Sequence, residues 1–250
     1  MGRGLAAKGK QVVFEKFGFA EGDGVTHHRD RPIYGLDGFR TSVTLGERQS
    51  PEVNDWRMRY DPTVETLDTA DLYGHWQSDK YFSHIESELR AELMPINIPT
   101  PIRRWGEVLG TVNSVAIHVR RGDYLELEAV NYHGVLTPNY YESALRYIEE
   151  RHPGTVAYVF SDDLDWAVSK MGFHCLSTSN RHLDMWLMGQ CRHIITANSS
   201  FSWWAAFRGD WRKDRIVVCP GRWVKTDVLD MADIYRSHWV KLWQPDFFQS

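Results

Sequence analysis

The rhythm of apolar and polar residues changes near residue 100. Before it, periodicity is weak. Residues 1–10 read as the second half of a helix that stops at Gly9, with Gln11-Val12-Val13-Phe14 as the following strand. Glu21-Gly22-Asp23-Gly24 and Thr26-His27-His28-Arg29-Asp30 read as loop, and 35–45 as a strand. A short strand end is expected at 74–77. Tyr81, Ile85, Leu89 and Leu93 recur four residues apart, which predicts a helix over 81–93. Pro95, Pro99 and Pro101 then interrupt the chain and mark a linker. The expected division is an N-terminal domain over 1–99 and a C-terminal domain over 100–250.

Beyond the prolines, short apolar runs alternate with helical spacing. Strands are predicted at 115–119, 156–160, 193–196 and 216–219. Thr137-Pro138 has the form of a cap followed by proline at the first helical position, opening a helix that runs to about Arg151. His152-Pro153-Gly154 ends it. Further helices are predicted from Asp163 or Leu164 to Lys170, over 184–191 and over 202–207. Strands separated by helices predict a parallel, doubly wound α/β sheet. No repeat or low-complexity tract interrupts it.

The chain has 250 residues and a formal net charge of -4, so it carries no global basic field for nucleic acid. Phosphate recognition would have to be local. Cys175, Cys191 and Cys219 form no CxxC pair, which argues against a zinc site or a disulfide framework and fits a reducing cytoplasm. No apolar run approaches the ~20 residues that span a bilayer, and no signal-peptide core is present. A cytoplasmic protein is expected, with peripheral attachment at the inner membrane face left open. The 11 Trp, 11 Tyr and 11 Phe offer rings for sugar faces, though most are needed as core.

Chemistry concentrates at three strand ends. The apolar run Val115-Ala116-Ile117 leads into His118-Val119-Arg120-Arg121-Gly122-Asp123-Tyr124. Ligands of open α/β sheets bind at the carboxyl ends of strands. Alternation sends His118 and Arg120 to one face, and Val119 and Arg121 to the other. Two adjacent guanidiniums in a crevice require anions: a diphosphate bound bidentately, or carboxylates in ordinary salt bridges. Arg120 is the expected β-phosphate ligand, while Arg121 pairs with Asp123 or braces the fold. Asp123 is a candidate base or an anchor for either arginine. At the next strand end, in Ser161-Asp162-Asp163, a carboxylate could accept two N–H bonds from a guanine edge, or either aspartate could cap the following helix. Asp163-Leu164-Asp165 also matches a metal-binding DxD, discounted because Asp165 should lie inside the helix. The third segment, Ala197-Asn198-Ser199-Ser200-Phe201-Ser202, precedes a helix whose free N–H groups and dipole favour an anion, or is a plain cap. Trp203 and Trp204 read as core beneath it. Asn198-Ser199-Ser200 is a formal glycosylation sequon, read as coincidence, and Arg121-Gly122-Asp123 is unsuited to adhesion because an apolar strand leads into it. No Gly-x-Ser-x-Gly elbow supports a hydrolase.

His118-Val119-Arg120-Arg121-Gly122-Asp123-Tyr124 resembles the signature of the α-1,2-fucosyltransferases, glycosyltransferase family 11. Phe160-Ser161-Asp162-Asp163-Leu164-Asp165-Trp166 is similar to the family's second motif. Asp184-Met185-Trp186-Leu187-Met188 through Ala197-Asn198-Ser199-Ser200-Phe201-Ser202-Trp203-Trp204 is similar to its third. Gly74-His75-Trp76-Gln77-Ser78-Asp79-Lys80-Tyr81-Phe82 resembles a weaker segment. The resemblance implies a GT-B-type α/β fold of two Rossmann-like domains, with the nucleotide in the C-terminal one. It implies inverting transfer of L-fucose from GDP-β-L-fucose to the 2-hydroxyl of a galactose-terminated glycan, without metal or other cofactor. The implied catalytic residues are Arg120 and Asp123. The implied donor-binding residues are His118, Arg120, Arg121, Asp163, Asn198, Ser199, Ser200 and Phe201, with Asp163 reading guanine. His75, Gln77 and Asp79 are acceptor-side candidates. The family's first strand and its loop ending Gly-Asn-Gln have no counterpart here, so a truncated start is expected. The alternatives are an inactive homologue that binds GDP or glycan, and a related transferase using another nucleotide sugar.

Overall fold

The computed structural model describes residues 1–13, 39–40, 52–55, 57–74, 76–225 and 231–248. The chain folds as two units: Met1–Ile96 with Leu229–Arg236, and Asn97–Val228 with Ser237–Ser250.

The first unit begins with helix α1 (Gly2–Ala7), which ends as the sequence predicts, with Gly9 at φ +85°. Residues 11–13 form no strand, and Phe14 lies outside the described residues. The 35–45 strand also falls outside them, except that Phe39 bridges Pro95 in antiparallel fashion. Strands β1 (Glu52–Asp55) and β2 (Asp71–Gly74) pair in parallel. The helix expected over 81–93 is a correction. Two 3₁₀ turns, Asp79–Tyr81 and Ser83–Ile85, precede a shorter helix α2 (Glu86–Glu92). Tyr81, Ile85, Leu89 and Leu93 are all buried, but so is Phe82. The helical backbone is interrupted at Phe82, with φ -140°. Segment 231–236 is stitched onto this unit. Asp233 accepts from the Tyr60 N–H at 2.8 Å and from Lys80 at 2.5 Å, and Arg236 pairs with Glu86 and, at 3.2 Å, with Asp79.

The second unit opens with helix α3 (Thr100–Thr111), where the sequence suggested a linker. Pro101 does not break this helix. It sits in the first turn, where the missing N–H would have found no partner. Then follow β3 (Ser114–Val119), α4 (Leu127–Tyr132), α5 (Pro138–Glu149), β4 (Val156–Ser161), α6 (Leu164–Met171), β5 (His174–Cys175), α7 (Arg181–Gln190), β6 (His193–Ile195), α8 (Ser200–Gly209), β7 (Val217–Pro220) and β8 (Val240–Leu242). Helices α7 and α8 each start earlier than their apolar periodicity suggested, because Asn180 caps α7 and Ser199 stands at the cap of α8. The six strands form one parallel sheet in the order β5-β4-β3-β6-β7-β8. The order reverses between β3 and β6, which is where a doubly wound sheet opens its crevice.

Strand β3 is buried throughout. Val115, Ile117 and Val119 belong to a core with Tyr140, Tyr141, Ala144 and Ile148 of α5 and Ala167 of α6. The alternate residue His118 meets Phe201 of α8 on the opposite face, with ring centroids 5.2 Å apart. The mixed α/β, Rossmann-like character anticipated for this region is therefore present. The three cysteines are free thiols. Among the described residues no helix is long and apolar enough to cross a membrane.

Helix α3 packs closely on α7 at Gly106. A Cβ on Gly106 would lie 2.2 Å from the Trp186 ring. The Gly106→Ala variant is expected to lose about 1–3 kcal/mol of stability through overpacking, measured as a lower midpoint in urea unfolding. An unchanged midpoint would show that Trp186 has room to move.

Candidate functional site

The candidate site is built where β3, β4 and β6 end together. The parallel register pairs Val119 with Ser161. One residue further, the same register sets Arg120 against Asp162, and the next sets Arg121 against Asp163. The side chains pair accordingly. Arg120 donates to Asp162 Oδ2 at 2.5 Å, and Arg121 Nε donates to Asp163 Oδ2 at 3.1 Å. Asp162 Oδ1 accepts the Arg121 backbone N–H at 2.9 Å, closing the ladder. The sequence offered Asp162 as a helix cap or a guanine-edge carboxylate and not as a partner of the arginines, yet it accepts from both. Its signal lies in the register between two strands, which is not a local pattern.

Asp123 pairs with Arg120. Of the two expectations for Arg121, pairing with Asp123 or bracing the fold, the structure has it paired with Asp163 and buried, while Asp123 anchors Arg120. Gly122 makes the arrangement possible, since a Cβ there would lie 2.7 Å from Asp162 Oδ2. The two guanidiniums have different surroundings. Arg120 lies 5.2 Å from the Tyr124 ring centroid, whereas Arg121 is 8% exposed and stacks 4.0 Å over Trp166 of α6. Tyr124 and Trp166 each close one of the motifs quoted from the sequence, but neither was given a role there. A buried Arg121 is no adhesion tip.

Asp163 caps α6, with Oδ1 accepting from the Trp166 N–H at 3.1 Å. Both of its oxygens are thus engaged, each retaining a second lone pair for a further donor. Asp165 lies within α6, as expected. Among the described residues no group of three or more His, Cys, Asp or Glu side chains is placed to hold a metal ion.

The segment after β6 supplies the opposite wall. Asn198 is buried, and its Nδ2 donates to His133 O at 2.9 Å and Trp223 O at 3.1 Å. Its carbonyl accepts from Tyr124 at 3.1 Å, and Tyr124 stacks on His133 at 4.5 Å. Asn198 therefore brackets the loops after β3, β6 and β7, and its amide nitrogen is not presented as a sequon. Ser199 stands at the cap of α8 with no side-chain cap bond, and Ser200 is exposed at its first position. The first-turn N–H groups of Ser200 and Phe201 lack acceptors within the helix. Trp203 is buried against Phe207 and Trp239, as a core residue.

His118 is 5% exposed. Burial, and then the neighbouring Arg120 charge, pulls its imidazole down to about 3. It is a neutral ring at any physiological pH, and its Nδ1 has no hydrogen-bond partner among the described residues. Beneath the arginines, burial pushes the Tyr141 phenol up, so it stays protonated. Of the acceptor-side candidates, Asp79 pairs with Arg236 in the first unit, Gln77 is half-buried there, and His75 lies outside the described residues.

Residues 51–243 match the model of the family described as glycosyl transferase family 11. The chain belongs to that family. The matched span includes every strand of the six-stranded sheet and all three strand-end motifs. Among relatives of this family-11 chain is an α-1,2-colitosyltransferase of Escherichia coli, 35% identical over 187 residues, covering 70% of this chain and 63% of that protein. The O-antigen biosynthesis glycosyltransferase WbnK of Escherichia coli is 40% identical over 138 residues, 52% of this chain and 45% of that protein. Galactoside α-(1,2)-fucosyltransferase 1 of Saimiri sciureus is 29% identical over 102 residues, 37% of this chain and 28% of that protein. The chain thus spans less than two thirds of the length of each.

Two outcomes follow from this geometry. Asp162→Ala leaves the Arg121 N–H and one edge of Arg120 without their acceptor, and is expected to cost about 1–3 kcal/mol in urea unfolding. A stability equal to the parent's would show the ladder to be dispensable. Acid should also destabilise the fold. His118 and His193, the latter likewise pulled down to about 3 by burial, take up protons near 6.5 only when unfolded. The unfolded chain then binds more protons between pH 3 and 6.5, so stability falls as pH drops below about 6.5. His118→Asn should flatten that fall by up to about 1.4 kcal/mol per pH unit. An unchanged slope in melts at pH 5 and 7 would show that His118 binds its proton equally in the folded and unfolded chain.

Proposed function

We propose that this chain transfers L-fucose from GDP-β-L-fucose to the 2-hydroxyl of a galactose-terminated glycan, with inversion. The observation that carries the reading is the pair of arginines fixed at the switch point of the parallel sheet, beside the start of α8. In this reading the second unit binds the donor and the first contributes the acceptor side, with Gln77, Asp79 and His75 as its candidates, in a GT-B-type arrangement. The acceptor hydroxyl attacks the anomeric carbon, the bond from that carbon to the β-phosphate oxygen breaks, and the hydroxyl proton passes to a base. Asp123 is the proposed base, and it also orients Arg120.

Negative charge grows on the departing GDP. Fixed donors that meet it stabilise the transition state more than the ground state. Arg120 is assigned to the β-phosphate. Ser199, Ser200, Phe201 and the dipole of α8 are assigned to the same anion. Arg121 and Asn198 hold the walls in place. Asp163, with His118 near it, is assigned to the guanine edge. No metal is required in this scheme, because the charge is met by the protein's own donors.

A second reading has its own support. The Escherichia coli relative with the longest stretch of identity given above is named for colitose, the 3-deoxy relative of L-fucose. In that reading the mechanism is the same and the donor sugar differs at one hydroxyl.

The test is GDP calorimetry in the presence of EDTA, alongside turnover of GDP-fucose and GDP-colitose with lactose. Arg120→Ala should weaken GDP binding about 10–100-fold, the loss of a charge-assisted hydrogen bond, and abolish transfer. Undiminished GDP binding by that variant would overturn the phosphate assignment. GDP binding without turnover of either donor would identify an inactive homologue, and preference for GDP-colitose would select the second reading.

A further inference from the structure

Trp166 touches both members of an ion pair. It is the third residue of α6, and Asp163 is the cap of the same helix. The Trp166 N–H donates to Asp163 Oδ1 at 3.1 Å, and Arg121 Nε donates to Asp163 Oδ2 at 3.1 Å. The Arg121 guanidinium in turn lies 4.0 Å over the Trp166 ring. The contacts among the three residues therefore form a closed circuit. Leu164 and Asp165, between the cap and the indole, are both exposed, whereas Trp166 turns back and packs against the core of β3, α5 and α6.

The indole answers a need of Arg121. That side chain is 8% exposed, and its Nη1 is buried with no hydrogen-bond partner among the described residues. A buried guanidinium that is not fully hydrogen-bonded needs compensation from elsewhere. The π face of an indole supplies it, and stacking also fixes the plane of the guanidinium. With that plane fixed, the Nε–H stays aimed at Asp163 Oδ2.

The consequence falls on the carboxylate. Its last torsion is soft, so one hydrogen bond would leave its plane undefined. A donor on each oxygen defines that plane. The second lone pairs of the two oxygens are then held side by side, as the two parallel N–H donors of a guanine edge require.

We propose that Trp166 is the positioning residue of the base subsite: by holding Arg121 it sets the plane of Asp163, and with it the preference for a base that offers two adjacent N–H donors. This rests on the reading that Asp163 meets the guanine edge. The indole is given no contact with the nucleotide.

The experiment is competition calorimetry of GDP against inosine diphosphate, whose base lacks the 2-amino group of guanine. Ribose and phosphates are the same in both, so a variant that only loosens the fold weakens them alike and leaves their ratio unmoved. Trp166→Leu should narrow the parent's preference for GDP about fivefold, within the range of a cation–π contact, and Trp166→Phe should keep it. Asp163→Asn should narrow it at least as far, which tests the guanine assignment separately. Circular dichroism checks the fold of each variant. Should Trp166→Leu misfold, Arg121→Lys is read in its place, because it keeps the charge and loses both Nε and the stacking plane; the same narrowing is expected. Narrowing by Asp163→Asn, with an unchanged ratio in a folded Trp166→Leu or in the variant read in its place, overturns the proposal and leaves the guanine assignment standing. A parent without preference for GDP, or an Asp163→Asn variant that keeps the parent's ratio, removes the guanine assignment and the proposal with it.

Discussion

The parallel register between β3 and β4 is the constraint on which the site depends. With Val119 opposite Ser161, the next two steps along each strand bring two guanidiniums against two carboxylates. Neither strand end would be tolerable alone. Adjacent arginines repel, adjacent aspartates repel, and β3 is buried along its whole length. Together they satisfy one another, and the Arg121 backbone N–H is closed by the same Asp162. A slip of one residue would separate every pair and move the apolar residues of β3 to the wrong face, so the buried core and the polar ladder enforce the same register. Gly122 is part of that constraint, because the carboxylate occupies the space of its missing side chain.

The wall from β6 is held by neutral groups. The Asn198 side-chain NH2 donates to the His133 and Trp223 carbonyls, and its backbone carbonyl accepts from the Tyr124 hydroxyl. These bonds tie together loops from three strand ends without introducing charge. His118, neutral in its burial, adds none either. The helix that begins at Ser200 therefore presents its first turn beside cations whose positions are already fixed. Preorganisation of this kind is what electrostatic catalysis demands, since donors that must rearrange during the reaction give up part of their benefit.

Much of this was legible in the sequence, and the exceptions share a cause. Runs such as Val115-Ala116-Ile117 declare buried strands because both faces of a parallel sheet are covered. The strand-end motifs declared the site because polar clusters directly after such runs have few other uses. Helix α3 was missed because Pro101 was read as a breaker, and its sign reverses with its place in the first turn. The 81–93 segment was read as one helix because its apolar spacing is helical, whereas the chain takes two 3₁₀ turns before α2. Asp162 and the true partner of Arg121 were missed because they follow from the register of strands about forty residues apart.

The balance of charge in the ladder limits how it can bind an anion. Arg120 and Arg121 are matched by Asp123, Asp162 and Asp163, so the cluster carries no surplus positive charge to draw in a diphosphate from a distance. Attraction has to come from directed donors at short range. Arg120 has five N–H bonds, and its two carboxylates use one on each terminal nitrogen, which leaves three for another partner. Arg121, buried and stacked on Trp166, has less freedom to turn outward. The division of labour follows from that geometry. The inner arginine supports the wall, the outer one is held in place by carboxylates while keeping donors in reserve, and α8, with no acidic residue in its first turn, adds its dipole.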